Sequence, residues 1–403
     1  MPSDSGILKN TETSASVTGR KPMSNADGQD LPKSGCKPSE SRAKIISLRT
    51  ESSVNIWARH GSERHDMFAP LAKLIDWCAI QATSRRVPDT DIRSLRLEQA
   101  VQFLKGPDFI ATESKPAQME FNPNNSGLHF RFPTPRPGDF AENNIVYGRL
   151  YHCSERWQER PVIVLLHGWN SVLSHRLRFP WIARRCNRAG FNAATMELPY
   201  HFQRRPRQPG ALGGYDCLRL AERTGQAIAE IRALTGWLLE QGCPAVALWG
   251  GSYGGWLAGL TVCYDARVNA AVLAVPGVRS NRSRADLVLW PKVREAMRQR
   301  EVALETLDQT ALNLTTKQPA IPRENILLIE AAHDLLTPPA PIEELWRHWR
   351  QPDIWRVPHG HFSFSLIGAP GLMAARVLGW LALRLEKAVR HGHLNRTLVM
   401  RKV

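Results

Sequence analysis

The sequence predicts an α/β protein built on a mostly parallel sheet of about eight strands flanked by helices. Two observations lead to this fold class. From Pro161 onward, short apolar runs rich in β-branched residues alternate with helical stretches, a pattern typical of βαβ units. Several of these runs, such as residues 161–166, are continuously apolar, as expected of strands covered by helices on both faces.

The predicted elements follow one another regularly along residues 126–393, the expected α/β domain. The first two predicted strands show alternating apolar and polar residues. They are followed by buried strands separated by helices, some of which end at glycines such as Gly190 and Gly242. The predicted strands are 127–132, 145–152, 161–166, 191–196, 244–249, 269–275, 325–330 and 354–357. The predicted helices are 176–188, 215–240, 253–264, 286–312, 342–350 and 372–389.

Three further segments flank the expected domain. Residues 1–55 contain eleven serines and no aromatic residue, so we expect a disordered N-terminal tail. Residues 56–125 predict a helical N-terminal extension, because apolar residues recur at helical spacing between Met67 and Cys78 and again over 91–104. Residues 394–403 are expected to form a basic C-terminal tail.

The composition is that of a globular protein of 403 residues, with 43% apolar and 22% charged residues. No stretch approaches the roughly 18 uninterrupted apolar residues of a membrane helix, and the first residues lack a secretory pattern. Seven scattered cysteines without a CxxC pair indicate neither a disulfide scaffold nor a zinc site. We therefore expect a cytoplasmic protein without a metal.

The net charge is +16, of which +2 falls in residues 1–55 and +14 in the remainder. A basic surface favours anionic partners. No zinc-finger spacing, RNP-like motif or basic helical arm is present, so we expect no nucleic-acid partner. Residues 384–403 carry six basic side chains and one acidic, which would suit a peripheral membrane contact, but we do not expect one. The oligomeric state stays open.

Residues 250–254 match the pattern G-x-S-x-G, and they lie between a predicted strand and a predicted helix. The glycines permit a sharp strand-to-helix turn that a Cβ atom would obstruct. Such a turn lifts the hydroxyl of Ser252 above the sheet and places it at a helix N-terminus, where N–H groups favour developing negative charge. We therefore predict that Ser252 is a catalytic nucleophile.

In this setting residues 126–393 resemble the α/β-hydrolase superfamily, in its serine esterase, lipase or dienelactone-hydrolase-like branches. His167-Gly168-Trp169 follows an apolar strand and is similar to the family's loop after its third strand. The resemblance implies an oxyanion hole formed by the backbone N–H groups of Trp169 and Tyr253, where one donor is worth about 3 kcal/mol. We interpret His167 as a buried residue that shapes the loop.

Two more loops match the family's pattern. Asp334 follows the penultimate strand and is similar to the family's acid. The last strand leads into Pro358-His359-Gly360-His361-Phe362, and the family's histidine usually follows a glycine directly, which favours His361 over His359. The chain order Ser252, Asp334, His361 is that of this fold and not of trypsin-like or subtilisin-like proteases.

The resemblance implies a serine hydrolase that cleaves a small-molecule carboxylic ester through an acyl-enzyme, without a cofactor. A peptidase or amidase with the same residues stays open, as does a non-catalytic scaffold that binds anionic partners.

A loop expected at the carboxyl ends of the strands, where ligands bind in such sheets, carries Arg204, Arg205 and Arg207. Guanidinium groups match carboxylates and phosphates, so these arginines predict an anionic substrate. The alternative is a solvated basic loop.

Overall fold

The computed structural model describes residues 62–84, 96–107, 109–111, 113–122, 128–169, 171–172, 174–208, 216–279, 306, 309–365 and 373–400. Its strands are β1 (Glu120–Asn122), β2 (Leu128–Pro133), β3 (Ile145–Tyr151), β4 (Val162–Leu166), β5 (Asn192–Met196), β6 (Val246–Gly251), β7 (Ala270–Ala274), β8 (Ile326–Ala331) and β9 (Asp353–Val357). Its longer helices are α1 (Ser62–Ser84), α2 (Leu97–Lys105), α3 (Phe179–Arg188), α4 (Cys217–Glu240), α5 (Tyr253–Tyr264), α6 (Pro339–His348) and α7 (Ala374–Met400).

The strands form one sheet in the order β1-β2-β3-β5-β4-β6-β7-β8-β9. The pairs from β1 to β5 are antiparallel, and all pairs from β5 through β4 to β9 are parallel. This confirms the mostly parallel sheet of an α/β-hydrolase fold that the sequence predicted. Strand β1 was not predicted, because its three exposed residues are too few to show an alternation.

Helices cover both faces of the sheet. In β4, Val162, Val164 and Leu166 belong to a core that includes residues of α2, α4, α5 and α6. Ile163 and Leu165, which point to the other face, belong to a second core with α3 and α7. This separation follows from the two-residue repeat of side-chain direction along a strand, and it explains why the strand is apolar throughout.

Some predicted boundaries differ from the structure. Helix α7 extends to Met400, beyond the predicted end at residue 389, so residues 394–400 are helical instead of forming a tail. Leu394 and Leu398 continue the helical spacing past Gly392, a signal that the basic composition of this segment obscured. The predicted tail 1–55, residues 91–95 of the second helix and most of the predicted helix 286–312 lie outside the described residues.

Within the described part of the chain, no helix is long and apolar enough to cross a membrane. All described residues belong to one compact unit, Ile56–Val403, which includes the N-terminal helices α1 and α2 together with the sheet.

Candidate active site

Ser252 occupies the sharp turn between β6 and α5, with a backbone φ of 54° and ψ of −118°. Such an angle is rare for a residue with a side chain and is found where the surroundings enforce it. The neighbouring glycines allow the turn. A Cβ atom on Gly250 would lie 2.1 Å from the carbonyl oxygen of Gly254, and one on Gly254 would lie 2.2 Å from that of Leu166.

The structure brings the three predicted catalytic side chains together at the carboxyl ends of their strands. The Ser252 hydroxyl donates to Nε2 of His361 at 2.9 Å. The Nδ1–H of the same ring donates to Oδ2 of Asp334 at 2.8 Å. Each side chain comes from a different loop, after β6, β8 and β9 respectively. The arrangement has the geometry needed to move a proton from the hydroxyl to the imidazole.

The carboxylate of Asp334 is held by its own loop as well as by His361. Its Oδ1 accepts from the backbone N–H groups of Leu336 and Thr337, at 2.7 and 2.6 Å. Its Oδ2 accepts from the Thr337 hydroxyl at 2.9 Å. Sequence reasoning missed Thr337, although a loop aspartate commonly accepts hydrogen bonds from backbone N–H groups just after it in the chain.

The His361 ring is buried, and burial disfavours its charged form. The negative charges of Asp334 and Asp76 outweigh this effect, so the pKa of His361 is raised above its ordinary value. A raised pKa means that the protonated ring is stabilised in this environment. That is the form the ring takes after accepting a proton from serine.

His359 lies outside this chain of hydrogen bonds. Its ring is 6.4 Å from that of Phe364, and its carbonyl accepts from the backbone N–H of His333. Burial and the nearby His333 lower the pKa of His359. The structure thus places His361, and not His359, between the serine and the aspartate.

The loop after β4 passes directly beside the nucleophile. A Cβ atom built on Gly168 would lie 3.5 Å from Cβ of Ser252. The Trp169 ring packs edge-on against the ring of Tyr253 at 5.3 Å, and Tyr253 is the first residue of α5. Both predicted oxyanion residues therefore border Ser252, and their backbone N–H groups stay the candidates for that role.

Buried histidines connect this loop to the loop after β5. His167, as expected, lies in the interior, where its Nε2 accepts from the backbone N–H of Leu198 at 3.1 Å. The ring of His201 lies 5.0 Å from that of Trp169 and 6.0 Å from that of Tyr253. Burial lowers the pKa of His201 to about 4, so this ring is neutral at pH 7.

The expectation that Arg204 binds substrate is wrong. Its side chain is fully buried and forms a two-fold ion pair with Glu230 of α4, with N–O distances of 2.7 and 2.6 Å. The same two nitrogens, Nη1 and Nη2, also donate to the backbone carbonyls of Glu197 and Asn143, at 2.8 and 2.6 Å. The guanidinium fixes the loop from inside and has no path to a ligand.

Arg205 and Arg207 are exposed on the same loop, so their role in binding an anionic substrate stays a prediction. A different arginine contacts a candidate oxyanion residue. The guanidinium carbon of Arg223 is 4.3 Å from the centre of the Trp169 ring, and this side chain is buried. Sequence reasoning missed it, because Arg223 is one of several polar residues within the long helix α4.

Among the described residues, no group of three or more histidine, cysteine, aspartate or glutamate side chains is arranged to hold a metal ion.

No protein-family model matches the chain. Two Mycobacterium tuberculosis proteins, Rv2627c of strain ATCC 25618 / H37Rv and MT2702 of strain CDC 1551 / Oshkosh, are each 28% identical over 254 residues. Both are described as uncharacterized. The match covers 57% of this chain and 58% of each relative, so the chain spans little more than half of their length.

Several solved esterase structures are similar in fold. Acetyl xylan esterase 1 from Thermoanaerobacterium sp. JW/SL YS485 is 13% identical with a TM-score of 0.48, over 70% of this chain and 92% of that one. Esterase Pf2001 from Pyrococcus furiosus is 13% identical with a TM-score of 0.44, over 67% and 94%.

Proposed function

We propose that this chain, a protein of the α/β-hydrolase fold, hydrolyses carboxylic esters through a covalent acyl-serine intermediate. The observation that carries the proposal is the continuous hydrogen-bond chain from Ser252 through His361 to Asp334. The strained backbone of Ser252 supports it further, because strain of this kind is retained where the position of a side chain matters.

In the first half of the proposed reaction, Oγ of Ser252 attacks the carbonyl carbon of the ester while Nε2 of His361 takes the hydroxyl proton. The carbonyl oxygen becomes an oxyanion beside the backbone N–H groups of Trp169 and Tyr253. When the bond to the alcohol breaks, His361 returns its proton to the departing oxygen. Asp334 keeps the ring oriented and stabilises its positive charge throughout.

In the second half, a water molecule replaces the alcohol. His361 takes one proton from the water as the water oxygen attacks the acyl carbon. The intermediate then expels Oγ of Ser252, which recovers the proton from His361. The products are a carboxylic acid and the free enzyme, and no cofactor is consumed.

A substrate panel tests the proposal. Purified protein would be assayed against short-chain esters and against thioesters and amides with the same acyl groups. Ester hydrolysis that Ser252→Ala abolishes in a folded protein is the expected result. Turnover of amides in preference to matched esters would favour a peptidase or amidase. Absence of turnover, together with specific binding of anionic partners, would favour the non-catalytic alternative.

A further inference from the structure

A buried carboxylate on helix α1 accepts a hydrogen bond from the backbone of the candidate catalytic histidine. Asp76 belongs to α1, the first helix of the N-terminal extension, and its side chain is fully buried. It lies on the same face of the helix as Ala72 and Ile80, which are also buried at a four-residue spacing. This face is therefore the one that α1 turns toward the protein interior.

Asp76 joins the two loops that carry the acid and the histidine. Its Oδ2 accepts from the backbone N–H of His361 at 2.8 Å and from that of Leu335 at 3.0 Å. Its Oδ1 accepts from the backbone N–H of Phe362 at 2.9 Å. Leu335 directly follows Asp334 in the chain. One carboxylate thus binds both Leu335, the residue after Asp334, and His361.

The close approach depends on glycine at position 360. A Cβ atom on Gly360 would lie 2.7 Å from the carboxyl carbon and from both oxygens of Asp76. Distances below 3.0 Å are essentially never adopted by real Cβ atoms, so any larger residue would force the carboxylate away. The glycine before His361 thus makes room for a side chain contributed by another helix.

We propose that Asp76 is a positioning residue that holds the Asp334 and His361 loops in register and supplies negative charge near the imidazole. The proposal rests on the proposed ester hydrolysis and deepens it. It gives helix α1 a role at the site through this one side chain. Three charge-assisted hydrogen bonds attach backbone N–H groups of both loops to this one carboxylate.

The charged and titratable groups around His361 are few within the described residues. Asp334 faces Nδ1 of the ring, and the Ser252 hydroxyl faces Nε2. Asp76 approaches from α1 at the backbone of His361. His359, on the same loop, faces His333. Asp76 and Asp334 both raise the pKa of the His361 ring, so removal of either charge should lower it.

Asp76→Asn tests the proposal, since the substitution keeps the size of the side chain and removes its charge. The new NH₂ group cannot accept a hydrogen bond, so at least one backbone N–H that Asp76 now binds loses its acceptor. We expect kcat for ester hydrolysis to fall about ten- to a hundred-fold, because small misplacements of catalytic groups have effects of this size. Lys73→Gln is the matched control. It removes a charge from an exposed position of the same helix and should keep the wild-type rate.

The pH profile separates positioning from simple structural support. The histidine must be neutral to act as a base, so kcat/KM rises with pH through the pKa of His361. In Asp76→Asn that pKa falls, and the acid limb should move to lower pH. A packing defect alone would lower the rate or the melting temperature and leave the limb in place.

The outcomes are distinct. If the wild-type protein hydrolyses esters and folded Asp76→Asn matches it in kcat and in acid limb, the inference is overturned and the proposed function stands. A wild-type protein without hydrolysis overturns both. If Asp76→Asn does not fold, residue-resolved hydrogen exchange of the wild-type protein decides. Strong protection of the Leu335, His361 and Phe362 amides supports the proposal, and rapid exchange at all three contradicts it.

Discussion

Replacing Arg204 by methionine should destabilise the fold and leave the discrimination between anionic and neutral esters unchanged. Arg204 and Glu230 are both fully buried, and their side chains are joined by two hydrogen bonds of 2.7 and 2.6 Å. Without the guanidinium, the Glu230 carboxylate still accepts a hydrogen bond from the hydroxyl of Thr134, at 2.7 Å. Breaking a buried pair on one side costs about 3–5 kcal/mol.

Urea unfolding of Arg204→Met measures this loss as a change in the free energy of unfolding. Arg205→Met provides the matched control, because its side chain is exposed on the same loop and its replacement should change stability by less than about 0.5 kcal/mol. The double variant Arg204→Met with Glu230→Leu should be more stable than the sum of the single effects predicts, since it leaves no uncompensated charge.

Kinetics on matched neutral and anionic esters complete the test. Arg204→Met should shift KM for both substrates by the same factor, because the guanidinium has no path to a ligand. The reasoning would be refuted by a variant that unfolds like the wild type and whose KM rises for the anionic ester alone.

Two further predictions concern the site. His361→Ala should lower kcat by orders of magnitude and His359→Ala far less, and the reverse order of severity in rate assays would exchange the two roles. Because the pKa of His361 is raised, kcat/KM of the wild type should fall on acidification at a higher pH than it would for a histidine with an ordinary pKa. Replacing both Arg205 and Arg207 by glutamine should raise KM roughly ten-fold or more for an anionic ester and little for a neutral one, and equal changes would identify a solvated basic surface.

The candidate catalytic residues at the strand ends could be predicted from the sequence. Ser252 and Asp334 each follow an apolar strand, and His361 follows the last strand, β9. The carboxyl ends of parallel strands meet at one edge of a sheet. Glycine patterns added the local geometry, since the turn at Ser252 and the close packing around it need residues without a Cβ atom. Local signals therefore carried most of the candidate site.

Long-range pairing explains what the sequence did not reveal. Asp76 is separated from His361 by 285 positions, and nothing around Asp76 marks it as different from a solvated helix residue. Arg204 looked like one of three surface arginines, yet its burial depends on Glu230, 26 residues away on α4. A buried charge is stable only with its partner, and which partner is within reach is a property of the fold.

The most direct test of the central claim is covalent labelling of the purified protein with a serine-directed fluorophosphonate, followed by mass spectrometry. We predict one adduct, located on Ser252 by peptide mapping. It should be absent from Ser252→Ala and form more slowly in His361→Ala. The assignment of Ser252 as the nucleophile would be contradicted if the protein hydrolyses esters but carries its adduct on another residue. It would also be contradicted if the Ser252→Ala variant is labelled as well as the wild type.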